Sequence, residues 1–237
     1  MTILTLNPEL ARKVRLAGLL YLIIIIAGLG AELGLRGPLI DLGKAEATAS
    51  AILEAPGRFR LAIAADLLMA LCDAGLAILF YLIFRASAPG LALSAMVFRL
   101  IQTVLIAANL MALQAAWLLI AEAPAMADAH KLALVFLDLH GHGYDLGLVF
   151  FGTCSLMMGA LVWRSGLFAK AFGIGLAVAG VVYLVGSGLQ FFAPGLSSAF
   201  APAYAITILA EMAFCLRLLL QRNPVGRGLD GNSGIKD

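Results

Sequence analysis

The sequence predicts an all-α fold: a polytopic transmembrane bundle of six spans with both termini in the cytoplasm. Three observations carry this reading. Hydrophobic residues make up 62% of the chain and charged residues only 13%, too little polar surface to coat a soluble core of this length. Apolar runs of span length recur six times, and a helix needs ~20 mostly apolar residues to cross ~30 Å of hydrocarbon. Basic residues also gather on alternate connections. Arg12, Lys13, Arg15, Arg85, Arg164, Lys170, Arg217, Arg222, Arg227 and Lys236 fall on one side, against Arg36, Lys44, Arg58, Arg60 and Lys131 on the other. The richer side faces inward in such proteins. The lipid bilayer is therefore the expected partner. A net charge of +2 gives no basis for nucleic-acid binding.

Residues 1–220 read as a single transmembrane helical domain and 221–237 as a flexible cytoplasmic tail. Span one is about Leu16–Leu35. The basic residues before it resemble a secretion signal, but the run is too long and lacks a cleavage site, so it is read as retained. Gly30 and Gly34 form a GxxxG spacing that allows close helix approach, and Arg36-Gly37-Pro38 stops the span. Lys44–Glu54 is expected as a short amphipathic helix on the surface or over the bundle mouth, or as a solvated loop, with Ile52 and Leu53 on one side and Pro56-Gly57 as its stop. Spans two and three are about Leu61–Phe84 and Leu91–Ile120, joined by a Ser87–Gly90 turn. Span four runs from near Leu132 to near Trp163, span five about Ala169–Phe191, and span six about Ala201–Leu220. Cys72, Cys154 and Cys215 lie in apolar runs as small buried hydrophobes.

Charges inside the spans are the informative residues. A charged side chain at the bilayer centre costs about 2.5–3.5 kcal/mol on insertion scales, so such groups turn inward and find partners. Asp66 and Asp73, seven residues apart, share a helix face roughly 10 Å apart along the axis. Counting from the short turn, Asp73 and Arg99 lie at equal depth on antiparallel neighbours and are expected to pair. Gln102 extends this polar face, and Asn109 lies near the level of Asp66. Asp66 has no evident cation nearby in sequence, which makes it the candidate proton- or cation-responsive group. Glu211 on span six is placed near the Asp73–Arg99 level. Tyr21, Tyr81, Tyr183, Trp117 and Trp163 are placed near the interfaces or within the bundle, and aromatic belts explain most of them.

The stretch from Asp138 to Asp145 packs two histidines and two aspartates into a glycine-broken part of span four. His140, His142 and Asp145 are candidates for a polar site. Two residues of spacing puts the histidines on different helix faces unless the glycines unwind the turn, and there is no HExxH, so no metal ligands are assigned. No phosphate loop, dinucleotide fingerprint or nucleophile elbow is present, and no catalytic residue or cofactor is assigned. Three readings stay open. The first is small-molecule binding or translocation through an Asp66, Asp73 and Arg99 core. The second is an intramembrane enzyme on a lipid-like substrate, with Asp66, His140, His142 and Asp145 as its acid/base or metal set. The third is a structural or regulatory membrane component. A small-molecule or lipid ligand is expected under the first two.

Taken in order, Arg15-Leu16-Ala17-Gly18 with Tyr21, Arg36, Phe59-Arg60 before Asp66, Phe98-Arg99, Asn109, His140 with Gly143-Tyr144, Phe151-Gly152, Gly159 and Arg164-Ser165-Gly166 resemble an uncharacterised prokaryotic membrane family, domain of unknown function 4386. The resemblance covers about Arg12 to Leu220. Ala169 stands where members often carry a proline. The resemblance implies an integral protein of six or so spans in a prokaryotic cytoplasmic membrane, and it implies no activity.

Overall fold

In the computed structural model, residues 8–123 and 126–221 are described, and six helices are long and apolar enough to cross a membrane. The first, α1 (Pro8–Leu29), widens into a π-helix over Gly30–Arg36 and ends in a 3-10 turn at Gly37–Leu39. The short α2 (Ala45–Glu54) follows, then α3 (Pro56–Phe84) and α4 (Pro89–Trp117), with a π-helical end at Leu118–Glu122. Next come α5 (Ala129–Ser165) and α6 (Lys170–Phe192). A kinked segment containing α7 (Ser197–Phe200) leads to α8 (Tyr204–Leu219).

Local chemistry sets these ends. Pro56 and Pro89 open α3 and α4, where a missing N–H costs nothing and the fixed φ suits a helix. Pro56 thus starts a span rather than stopping α2; Ala55 makes that break. Gly166 closes α5 at φ 66°, a left-handed cap that glycine adopts without strain. Of the tail assigned to 221–237, residues 222–237 lie outside the described residues, whereas Gln221 is buried and accepts a hydrogen bond from Arg217, so it belongs with the bundle.

The spans form a closed ring. Helix α1 packs on α3, α3 on α4, α4 on α5, α5 on α6, α6 on α8, and α8 returns to α1. Large apolar side chains such as Leu71, Val104, Met111 and Leu209 point outward and are exposed, the inverse of a soluble surface and the arrangement a lipid environment favours. The α5–α6 seam is the tightest. A Cβ on Gly159 would sit 2.6 Å from the Gly173 carbonyl, and one on Gly180 would sit 2.7 Å from the Gly152 carbonyl. The two glycines on each helix, 152 and 159 on α5 and 173 and 180 on α6, are seven residues apart, so small residues line one face of each helix and let the backbones touch. Gly30 and Gly34 do not serve this purpose: a Cβ at either would meet nothing within 4 Å. Small-residue spacing marks a possible seam but does not say which face meets a neighbour.

An apolar cluster of Tyr21, Phe80, Phe84, Phe168 and Phe214 fills the end of the ring where α1 begins and α8 finishes. At the other end α2 reclines against the bundle. Ile52 is fully buried in a cluster with Phe59, Leu113 and Leu137, while Leu53 is exposed. Consecutive helical residues point ~100° apart, so the two do not share a side as expected. His130 and Glu46, 2.7 Å apart, tie α2 to α5. All three cysteines are buried and free.

Candidate functional site

A cavity of about 390 Å³ lies at the centre of the ring, with side chains from all six spans in its wall. Two ion-paired levels organise it.

The deeper level is built on the α3–α4 hairpin. Arg99 donates to Asp73 Oδ1 from Nε at 2.8 Å and from Nη2 at 2.5 Å, and the Thr103 hydroxyl donates to Asp73 Oδ2 at 2.8 Å. The pairing expected from the turn count is present, with both residues buried. The guanidinium also lies 5.0 Å from the Phe151 ring centroid, 5.5 Å from Tyr21 and 5.7 Å from Phe80, positions at which ring quadrupoles attract a cation. Glu211 joins this level, accepting hydrogen bonds from Tyr21 at 3.0 Å and Tyr183 at 2.5 Å. These two tyrosines are core donors, not interfacial aromatics. Sequence reasoning missed them because a tyrosine in an apolar run carries no local mark of where its hydroxyl points.

The second level lies nearer the open end. Arg36 Nη1 meets Asp66 Oδ2 at 2.5 Å, and Arg36 Nη2 meets Glu32 at 2.5 Å. Asp66 therefore has a cation, contrary to the expectation that it stood alone. The π-helix is the physical reason. The chain continues winding past Gly30 and carries Arg36 inward, where it is 4% exposed, instead of leaving it on an outer loop. A π-turn shifts the phase of every later side chain, and no α-helical count anticipates it.

The Asp138–Asp145 stretch is continuous helix within α5, not glycine-broken. His140 faces inward and is buried. Asn109 Nδ2 donates to its carbonyl oxygen at 2.6 Å and lies 3.1 Å from its Nδ1. Gly143 makes room for this contact, since a Cβ there would collide with the Asn109 amide. His142 faces elsewhere, its Nδ1 3.1 Å from the Asp138 carbonyl and its ring 6.3 Å from that of Phe191. Tyr144 and Asp145 line the cavity. Of the expected polar set, Asp66, Asp73, Gln102, His140, Asp145 and Glu211 share the cavity wall. Arg99 and Asn109 stand behind it as supports, and His142 is outside. Among the described residues no three His, Cys, Asp or Glu side chains group as metal ligands.

Two residues of the wall each carry a buried polar atom with no hydrogen-bond partner among the described residues, Gln102 Oε1 and His140 Nε2. Such atoms are uncommon in folded proteins and costly when left dry. The cavity continues toward the α6–α8 connection, where Glu32, Asp145 and Tyr204 also line a second space with Gln190, Ser197 and Phe200.

A closed ring of six apolar helices around an ion-paired polar interior defines a multi-pass helical membrane protein. Residues 16–221 match the family described as a domain of unknown function, DUF4386, and the chain belongs to that family. No curated protein and no solved structure matches it.

Proposed function

We propose that this protein binds a small molecule in its central cavity. The observation that carries the reading is a 390 Å³ space lined by two buried side chains, Gln102 and His140, whose Oε1 and Nε2 atoms have no hydrogen-bond partner among the described residues. Pockets of this size, mostly apolar with a few convergent polar groups, are the usual form of small-molecule sites. A purely structural role would favour a packed interior with every charge matched, and this interior has room and unmatched groups. The enzyme reading loses His142, which lies outside the cavity. The aromatic cluster packs the terminal end of the ring, which leaves the cavity open toward the opposite end.

The basic-residue count supports an orientation. With Arg36 buried in the bundle, the poorer side falls from five residues to four, Lys44, Arg58, Arg60 and Lys131, against ten on the other. The termini then face the cytoplasm and the cavity mouth faces outward. The setting is a prokaryotic cytoplasmic membrane.

Ala70 and Leu148 line the cavity, and Ala70→Phe and Leu148→Trp should fill it. Native mass spectrometry of the detergent-solubilised protein should show a co-purified small molecule on the wild type and none on either variant. A wild-type protein free of any small molecule, or one retained by both variants, contradicts the proposal.

A further inference from the structure

We infer that the cavity selects a protonated amine carried on an apolar or aromatic body. This rests on the reading of the cavity as a ligand site and names the class of ligand. Five carboxylates line the space, Glu32, Asp66, Asp73, Asp145 and Glu211. Two guanidinium groups answer them. Arg36 is taken by Glu32 and Asp66, and Arg99, behind the wall, is taken by Asp73. Glu211 is held only by two phenol hydroxyls, and Asp145 has neither a hydrogen bond nor an ion pair among the described residues. Neither of these two forms an ion pair among the described residues, and the basic groups nearest them, Arg99 for Glu211 and His142 for Asp145, act only from beyond pairing distance. In a poorly solvated interior, charged groups need close partners of opposite sign.

The independent observation is Gln102 Oε1, an acceptor on a buried side chain with no donor to satisfy it among the described residues. Carboxylates and an amide oxygen together accept hydrogen bonds, and an ammonium group supplies N–H donors with a positive charge. Both guanidinium groups are already occupied, so an anionic head would find no free cation.

The rest of the wall suits the rest of such a molecule. The Phe151 and Tyr183 rings stand 5.1 Å apart, and Tyr183 and Tyr204 5.9 Å apart, giving an aromatic side that attracts cations by its ring faces and covers an apolar body. Gly186 seats Tyr204, since a Cβ there would collide with its phenol. Glu32 and Asp145 also line the outer space, so the field along the entry path is negative and draws cations inward.

The test holds the body fixed and changes the head. Phenethylammonium, 2-phenylethanol and 3-phenylpropionate are titrated against the full-length protein in nanodiscs of a zwitterionic lipid, with Ala70→Phe as the blocked control. Phenethylammonium should bind saturably, at least tenfold tighter than the alcohol, and the carboxylate should not bind. Asp145→Asn and Glu211→Gln should each weaken the amine at least tenfold and leave the alcohol unchanged. Asp145→Asn alters a partly buried group with no hydrogen bond or ion pair among the described residues, so it keeps the test valid if Glu211→Gln folds poorly. Block-sensitive binding that ignores the head, or prefers the carboxylate, overturns the amine assignment while leaving the cavity a ligand site. Amine binding that survives in Ala70→Phe, no amine binding at all, or an affinity unmoved by Asp145→Asn also overturns it.

Discussion

Replacing Asp73 by alanine is expected to destabilise the protein by ~3–5 kcal/mol, the usual penalty for leaving one member of a buried pair alone. The loss is large because Arg99 is buried, and among the described residues Asp73 is its one ion-pair partner. The surrounding rings of Tyr21, Phe80 and Phe151 hold a cation but do not neutralise it. Removing both charges, as in Asp73→Leu with Arg99→Met, should be milder, because apolar residues of similar volume often replace a buried pair at little cost. The folded fraction after size exclusion and the unfolding midpoint of both single variants and the double variant form a cycle whose coupling term reads the pair. Additive losses would show that the two residues act independently.

The second large effect is expected at Arg36. Arg36→Met leaves Asp66, 2% exposed, without its cation, and should again cost ~3–5 kcal/mol. Its other partner behaves differently. The Glu32 side chain is 59% exposed, and water screens such a pair to about 0–1 kcal/mol. Glu32→Gln should therefore change the unfolding midpoint little. Equal losses for Arg36→Met and Glu32→Gln would mean that Arg36 lies on the surface and the π-helix does not turn it inward.

The two levels of the cavity differ in how far the sequence reveals them. Asp73 and Arg99 were legible because a short turn forces α3 and α4 antiparallel, so equal counts from the turn mean equal depth. Span number and the burial of the cysteines follow as directly from apolar run length. The Arg36–Asp66 pair was not legible, because it depends on a π-helical phase that residue spacing does not encode and on a cation that resembles an ordinary loop residue. The same limit applies to the tyrosines on Glu211: Tyr21 lies 190 residues away, and Tyr183 is on the preceding span across a kinked connection that no turn count spans. Glycine spacing misled at Gly30 and Gly34, whereas the glycines at 152, 159, 173 and 180 make the actual seam. Only the partner helix distinguishes the two cases. The polarity of the Asp138–Asp145 stretch suggested a broken helix, yet in α5 the same residues stay helical and divide between an inward His140 and an outward His142.

The central claim is that the ionisable groups of the spans surround a water-accessible cavity open at one end, while the outer faces meet lipid. Cysteine labelling tests it most directly. In a background with Cys72, Cys154 and Cys215 replaced by alanine, single cysteines are placed at Asp145 and Tyr204 on the cavity wall and at Leu71 and Val104 on the outer face. A membrane-impermeant methanethiosulfonate reagent is then applied to each side of sealed vesicles. Asp145→Cys and Tyr204→Cys should react from one side only, and Leu71→Cys and Val104→Cys from neither. Reaction at positions 71 and 104 with silence at 145 and 204 would turn the bundle inside out and contradict the account.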